Sequence, residues 1–380
     1  MYKIKDIIKF VIAYVWSIGL KKKDIWIVTE RRTECKDNGY YFFKYMREKF
    51  PDKQVYYAID KDSSHIVKIE PYQNILYFNS LKHYAYALAA TKLIGAFLPV
   101  GIPDSICFYK FAKLIKGKKI FLQHGITKEN INSLHYENTK VSLFICGGEP
   151  EAEFVKKEFG YPEGSVQYTG FCRYDGLIND TKKGFILFMP TWRQWLPSTT
   201  FNADEIGFET SFYYKKVRNL LEQPRLKTLL EKNNLEFIFY LHHELQPYLE
   251  SFSDVGGTRV FVASEKEYDV QKLLIDCNLL ITDYSSVQFD VAYMKKPIIY
   301  YQFDEEEYYK KHYSRGYFSY ISDGFGKKCS NEHEVVAEME NTIDSGFIME
   351  DFYQERVEKF FKYRDKDNCQ RVYGAINDIR

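Results

Sequence analysis

Apolar and polar positions along the chain alternate between two rhythms. Apolar runs of strand length occur at 24–29 (DIWIVT), 54–59 (QVYYAI), 74–78 (NILYF), 92–97 (KLIGAF), 119–123 (KIFLQ) and 141–147 (VSLFICG). They recur at 185–190 (FILFMP), 236–242 (EFIFYLH), 258–263 (TRVFVA), 278–282 (NLLIT) and 296–301 (KPIIYY). Stretches with helical spacing, such as 39–50 and 81–91, lie between most of them. Apolar strands alternating with helices predict parallel sheets covered on both faces. The rhythm runs twice, so the expected fold is α/β, with two doubly wound, Rossmann-like domains and a cleft between them. The boundaries expected are 25–177 and 178–352, meeting in the polar stretch RYDGLINDTKKGF (173–185). A length of 380 residues suits two cores. The helical stretch 353–380 has no strand after it and is expected to pack back on the first domain.

Residues 1–24 differ from the rest. They hold six lysines against two aspartates, and Ile7, Ile8, Val11, Ile12, Val15 and Trp16 fall on one helical face. The apolar core from Phe10 to Leu20 is too short to span a bilayer, and no small-residue cleavage site follows it. Two readings stay open: a basic amphipathic helix lying on anionic lipid, or the first core helix of the domain.

Ligands of open parallel sheets sit beyond the carboxyl ends of the strands, and those ends are chemically unusual here. Gln123-His124-Gly125 follows KIFL. A histidine there can present its ring as a general base while the glycine turns the backbone away, or it can simply cap a helix. Pro190-Thr191-Trp192-Arg193 follows FILFM, and the Arg193 fork suits phosphate oxygens, although most arginines end in a surface ion pair. His242 and His243 follow EFIFYL. Adjacent side chains in an extended chain point apart, so His242 is expected to face the site and His243 to be a solvated cap. Asp283, Ser285 and Ser286 follow NLLIT at the predicted start of a helix. One such residue would suffice as a cap, and the excess points to phosphate binding.

Other features narrow the chemistry. Asp60 and Asp62 form a D-x-D pair of the kind that holds a divalent metal, but a second pair at Asp365 and Asp367 shows how cheaply that pattern arises, and no metal is expected. The seven cysteines are scattered without a C-x-x-C pair and read as buried thiols. A net charge of +1 and the lack of a basic run argue against nucleic acid. Neither a P-loop nor a strict G-x-G-x-x-G occurs.

The residues QHG (123–125), TGFCRYD (169–175), MPTWR (189–193), LH (241–242), LLITDYSSVQFD (279–290), KPIIYYQFDEEEY (296–308) and RGYF (315–318) resemble the CDP-glycerol glycerophosphotransferases. This bacterial family primes and polymerises teichoic acids and related capsule polymers. The resemblance implies a GT-B-like fold, no cofactor and metal-independent transfer at the cytoplasmic membrane face. It implies His124 as catalytic base, and Arg193, His242, Ser285 and Ser286 as ligands of the donor diphosphate. Asp290 and Asp283 would touch the polyol or order the serine turn, with Gly125, Arg173, Asp175 and Thr191 in support. The implied donor is CDP-glycerol or CDP-ribitol, and the implied acceptor a lipid-linked saccharide. The chain departs from the family where Gln123 replaces a frequent tryptophan and His243 a frequent proline. Rival readings are a GT-B glycosyltransferase using a nucleotide sugar and a non-catalytic, membrane-associated glycan-binding module.

Overall fold

The structure is a computed structural model that describes residues 2–177, 184–198, 207–255 and 257–379. The chain divides into two compact units. The first comprises Met1–Ile126, Asn132–Gly176 and Tyr363–Arg380, and the second Thr127–Ile131 and Leu177–Lys362. Residues 178–183, within the expected linker at 173–185, lie outside the described residues.

The first unit is built on strands β1 (Ile25–Thr29), β2 (Gln54–Ile59), β3 (Ile75–Tyr77), β4 (Lys92–Gly95), β5 (Lys118–Phe121), β6 (Leu143–Cys146) and β7 (Val166–Tyr168). They form one parallel sheet in the order β3-β2-β1-β4-β5-β6-β7. Every residue of β1 is buried, as expected of a strand covered on both faces. Ile25, Ile27, Tyr56, Ala58 and Leu93 anchor one apolar cluster, and Phe121, Phe144 and Val155 another.

The second unit holds β8 (Phe185–Met189), β9 (Glu236–Tyr240), β10 (Val260–Ala263), β11 (Leu279–Thr282), β12 (Ile298–Tyr301) and β13 (Lys327–Cys329). Their parallel order is β10-β9-β8-β11-β12-β13. Both sheets therefore wind outwards from their first strand, then reverse. The reversal points, β1/β4 and β8/β11, are where such sheets open a crevice for ligands.

The C-terminal stretch departs from the expectation of one helix over 353–379. It is two helices, Asp351–Phe360 and Asn368–Asn377. The first belongs to the second unit because Phe360 packs on Phe289 and Phe325, with centroids 5.1 and 5.6 Å away, and Phe361 on Tyr293 at 5.3 Å. The second belongs to the first unit. There Asp175 accepts from the backbone N–H groups of Asn368 and Cys369 at 3.0 and 2.9 Å, capping the helix, and Tyr363 stacks on Tyr168 at 4.8 Å. The division falls after Lys362, ten residues beyond the expected 352.

The N-terminal helix, Tyr2–Leu20, packs on the first unit through one face only. A narrow stripe, Phe10, Ala13, Ser17 and Leu20, is buried against the helix Leu81–Ala89. Asp6 accepts from the hydroxyls of Tyr84 at 2.6 Å and Ser105 at 2.7 Å, which fixes the helix rotation. The predicted apolar face, Ile7 to Trp16, is on the other side and exposed; Ile7 is 51% and Val15 63% accessible.

Candidate active site

His124 lies beyond β5, where the chain bends through His124-Gly125. The bend is held on several sides. Gln123 is buried with φ +59°, a left-handed conformation unfavourable for a side chain with a Cβ. Its amide compensates by donating to Ile145 O at 2.7 Å and to Glu151 Oε1 at 3.0 Å. Asn38 Nδ2 donates to Gln123 O at 2.8 Å. Arg173 Nη1 donates to His124 O at 3.1 Å and pairs with Asp37 at 2.9 Å. Arg173 thus anchors the histidine bend, while Asp175 caps the C-terminal helix.

The imidazole of His124 stacks on Phe97, centroids 4.3 Å apart and planes within 13°, with Arg31 over the far ring at 4.6 Å. Its Nδ1 is 3.3 Å from Ala96 O. A carbonyl can only accept, so Nδ1 carries the proton and Nε2 keeps its lone pair. Solvent reaches the ring, yet desolvation by the protein packed around it, with Arg31 and Arg173, lowers its pKa to about 4. At neutral pH it is an uncharged base.

The reversal point of the first sheet is already filled. Glu30, just after β1, accepts from the backbone N–H groups of Lys36, Asp37 and Tyr40 at 2.7–2.9 Å. Burial, then the neighbouring Asp37, raises its pKa to about 7. A side-chain carboxylate thus takes the helix N-terminus where a Rossmann domain would hold a pyrophosphate.

At the reversal point of the second unit, the structure corrects the role expected for Arg193. This side chain is fully buried. Its Nε and Nη2 donate to Asp304 at 2.7 and 2.9 Å, Nη1 donates to Thr191 O at 2.6 Å, and Nη2 is 2.9 Å from Asp283 Oδ2. Tyr213, Tyr284, Tyr308 and Phe303 surround the guanidinium with centroids at 5.1–5.7 Å. Burial alone would press it towards neutrality, but Asp283 and Asp304 outweigh that and hold it charged. The fork is committed to protein partners and presents no donors to a ligand.

Asp283 is likewise a tie across the reversal point. Its Oδ1 accepts from Thr191 N at 2.8 Å and Tyr284 N at 2.6 Å, joining the end of β8 to the end of β11. Tyr284 stacks on Tyr308 at 3.8 Å. Two of the four residues in DYSS are therefore structural, and the serines are what the tie presents. Ser285 Oγ accepts weakly from Val287 N at 3.4 Å. Ser286 precedes the helix Val287–Tyr293, and its hydroxyl makes no capping bond. Asp290 is buried within that helix.

The rings of His242 and His243 are 4.3 Å apart; the His243 side chain is 40% exposed, but the cap of the following helix is His242 and not His243. His242 Nδ1 accepts from Glu244 N at 3.3 Å, which places the proton of the neutral ring on Nε2, a donor. Asp60 meets Arg32 at 3.2 Å and Asp365 meets Arg371 at 2.8 Å. Among the described residues no group of three or more His, Cys, Asp or Glu could hold a metal. All seven cysteines are buried free thiols.

Asp304, not among the residues expected from sequence, lies three residues beyond β12 in YYQFD, a strand-end position like the others. Two further groups, Lys128 and His312, had no local signal.

Two parallel-sheet units of this winding define a GT-B-like α/β protein. The chain belongs to the CDP-glycerol:poly(glycerophosphate) glycerophosphotransferase family, which it matches over residues 10–378. The minor teichoic acid biosynthesis protein GgaB of Bacillus subtilis (strain 168) is 30% identical over 384 residues, covering 99% of this chain and 42% of that protein. The teichoic acid ribitol-phosphate polymerase TarL of Staphylococcus aureus (strain NCTC 8325 / PS 47) is 25% identical, covering 80% of this chain and 50% of that protein. The chain thus spans about half the length of these relatives or less. The wall teichoic acid polymerase TagF shares the fold, with a TM-score of 0.66 at 16% identity over 100% of this chain and 98% of that one.

Proposed function

We propose that the chain transfers glycerol phosphate, or the related ribitol phosphate, from a CDP-linked donor to a hydroxyl of a lipid-linked saccharide and releases CMP. The observation that carries this reading is the protonation state of His124, an uncharged imidazole fixed through Nδ1 with Nε2 as its basic atom. In the reaction the acceptor oxygen attacks the phosphorus nearest the polyol. Its proton passes to Nε2, the bond from that phosphorus to the bridging oxygen breaks, and CMP leaves with the electron pair. Transfer of this type depends chiefly on positioning and on neutralising phosphate charge. The second unit supports the donor role with His242 Nε2–H and the hydroxyls of Ser285 and Ser286, whereas the first has its phosphate-type position filled by Glu30. The names of the relatives support a polyol phosphate, and a TagF structure determined after a soak with CDPG supports the nucleotide. Offering CDP-glycerol, CDP-ribitol and UDP-N-acetylglucosamine in parallel tests the reading. CMP release that depends on an acceptor is expected, while UDP release alone would replace it with sugar transfer.

The same reading places the protein on the membrane surface. No described helix is long and apolar enough to cross a bilayer. The N-terminal helix instead turns an apolar face outwards, with exposed Lys5 and Lys21 to Lys23 near its ends, as a helix lying on anionic lipid does. The double substitution Ile8→Glu and Val15→Glu is expected to abolish sedimentation with phosphatidylglycerol vesicles and to leave thermal unfolding unchanged, since both positions are exposed. Undiminished sedimentation of that variant would remove the helix as the anchor.

A further inference from the structure

Around Trp192, the ends of β8 and β9 and the residues after the helix Glu305–Lys311 assemble groups that the Arg193 knot does not explain. His312, in the last of these segments, is 9% accessible. Its Nδ1 accepts from the Gln194 N–H at 3.1 Å, so the neutral ring carries its proton on Nε2. Burial, then Arg193 and Lys128, lower its pKa to about 3, which keeps the ring neutral. The Nε2–H is buried and meets no hydrogen-bond partner among the described residues. The ring itself is clamped, stacked on Tyr308 at 4.8 Å and edge-on to Trp192 at 5.0 Å, while Trp192 stacks in turn with His242 at 6.2 Å. Thr191 Oγ1, at the end of β8, is a second buried polar atom without a hydrogen-bond partner among the described residues. Native proteins rarely leave such atoms unanswered, and at the end of a parallel strand a ligand is the expected answer.

The charge comes from Lys128, whose ammonium pKa is brought down to about 7 by burial, with Asp283 opposing the shift. Although it follows β5 by seven residues, Thr127–Ile131 belongs to the second unit. The segment is pinned there by the Asn130–Ser314 bridge and by Gly316, where an added Cβ would lie 2.0 Å from Lys128 O. Lys128 is buried, pairs with Glu129 and lies 5.8 Å over the Tyr320 ring. An ammonium has three N–H groups, so it can keep Glu129 and still meet an oxyanion.

We infer that His312 Nε2–H, assisted by Thr191 Oγ1 and the Lys128 ammonium, is a ligand for a phosphate oxygen of the nucleotide-linked donor. The inference rests on the transferase reading above and supplies the cationic partner that Arg193 cannot be.

Calorimetric titration of the full chain with CDP-glycerol and with inorganic pyrophosphate tests it. His312→Phe keeps the stacked ring and loses only the N–H. It is expected to weaken both ligands roughly ten- to a hundredfold, as loss of a hydrogen bond to a charged group does, with an unchanged melting temperature. Lys128→Met should act in the same direction, and His312→Gln, which retains an N–H donor, should lose less. Wild-type affinity of His312→Phe for CDP-glycerol overturns the inference and leaves the donor assignment standing. Binding of pyrophosphate through His312 with no binding of CDP-glycerol does the reverse, and binding of neither ligand by the wild type overturns both.

Discussion

Replacing His124 by alanine is expected to lower turnover by roughly 10²–10⁴-fold, the usual contribution of a positioned general base, with affinity for the CDP-linked donor largely kept. Binding should survive because the groups assigned to the donor phosphates are in the other unit. The pH profile gives an independent check. His124 acts only when unprotonated, so its limb of kcat/KM should stay flat from pH 8 down through 6.5, where an ordinary histidine would titrate. It should fall only as pH approaches about 4, the value to which desolvation and the arginines Arg31 and Arg173 bring it. His124→Asn is the sharper variant. An amide can donate to Ala96 O and fill the space, but it cannot accept a proton, so retained turnover in that variant would sink the assignment.

Arg193→Ala is expected to cost roughly 3–5 kcal/mol of stability, because it leaves Asp283 and Asp304 buried without their counter-charge. Urea unfolding followed by tryptophan fluorescence should show the midpoint falling. Arg193→Lys should not restore it, since a single ammonium cannot make the paired bonds to Asp304 and also reach Asp283. Donor affinity should fall as a consequence, because Asp283 fixes the serine turn through Thr191 N and Tyr284 N. An alanine variant with an unchanged unfolding midpoint and a selectively raised KM would return Arg193 to direct contact with substrate.

The strands were legible because parallel strands buried on both faces are apolar throughout, as in IWIVT of β1 and LLIT of β11. β13, with the sequence KKC at the sheet edge, has no such pattern and went unread. Its best clue is Gly326, whose Cβ would lie 1.8 Å from Ile298 O, a close approach that only the three-dimensional pairing reveals. The strand-end rule singles out His124, His242 and the serine turn as candidates, since it needs only the position at which an apolar run stops. It could not apportion roles within DYSS. Surplus polar groups look alike whether they meet a ligand or a buried arginine, and Asp283 meets the arginine. His312 ends the run KKH, which reads as a solvated helix terminus. Only the packing of Tyr308 and Trp192 around it shows otherwise.

The proposed chemistry is tested most directly by mass spectrometry of the products formed when the full chain, on phosphatidylglycerol vesicles, receives CDP-glycerol and a synthetic lipid-linked saccharide. The expected result is an acceptor heavier by whole glycerol phosphate units, with one CMP released for each unit and none formed by His124→Asn. An acceptor of unchanged mass with both CDP-glycerol and CDP-ribitol, or one gaining a sugar from UDP-N-acetylglucosamine, would contradict it.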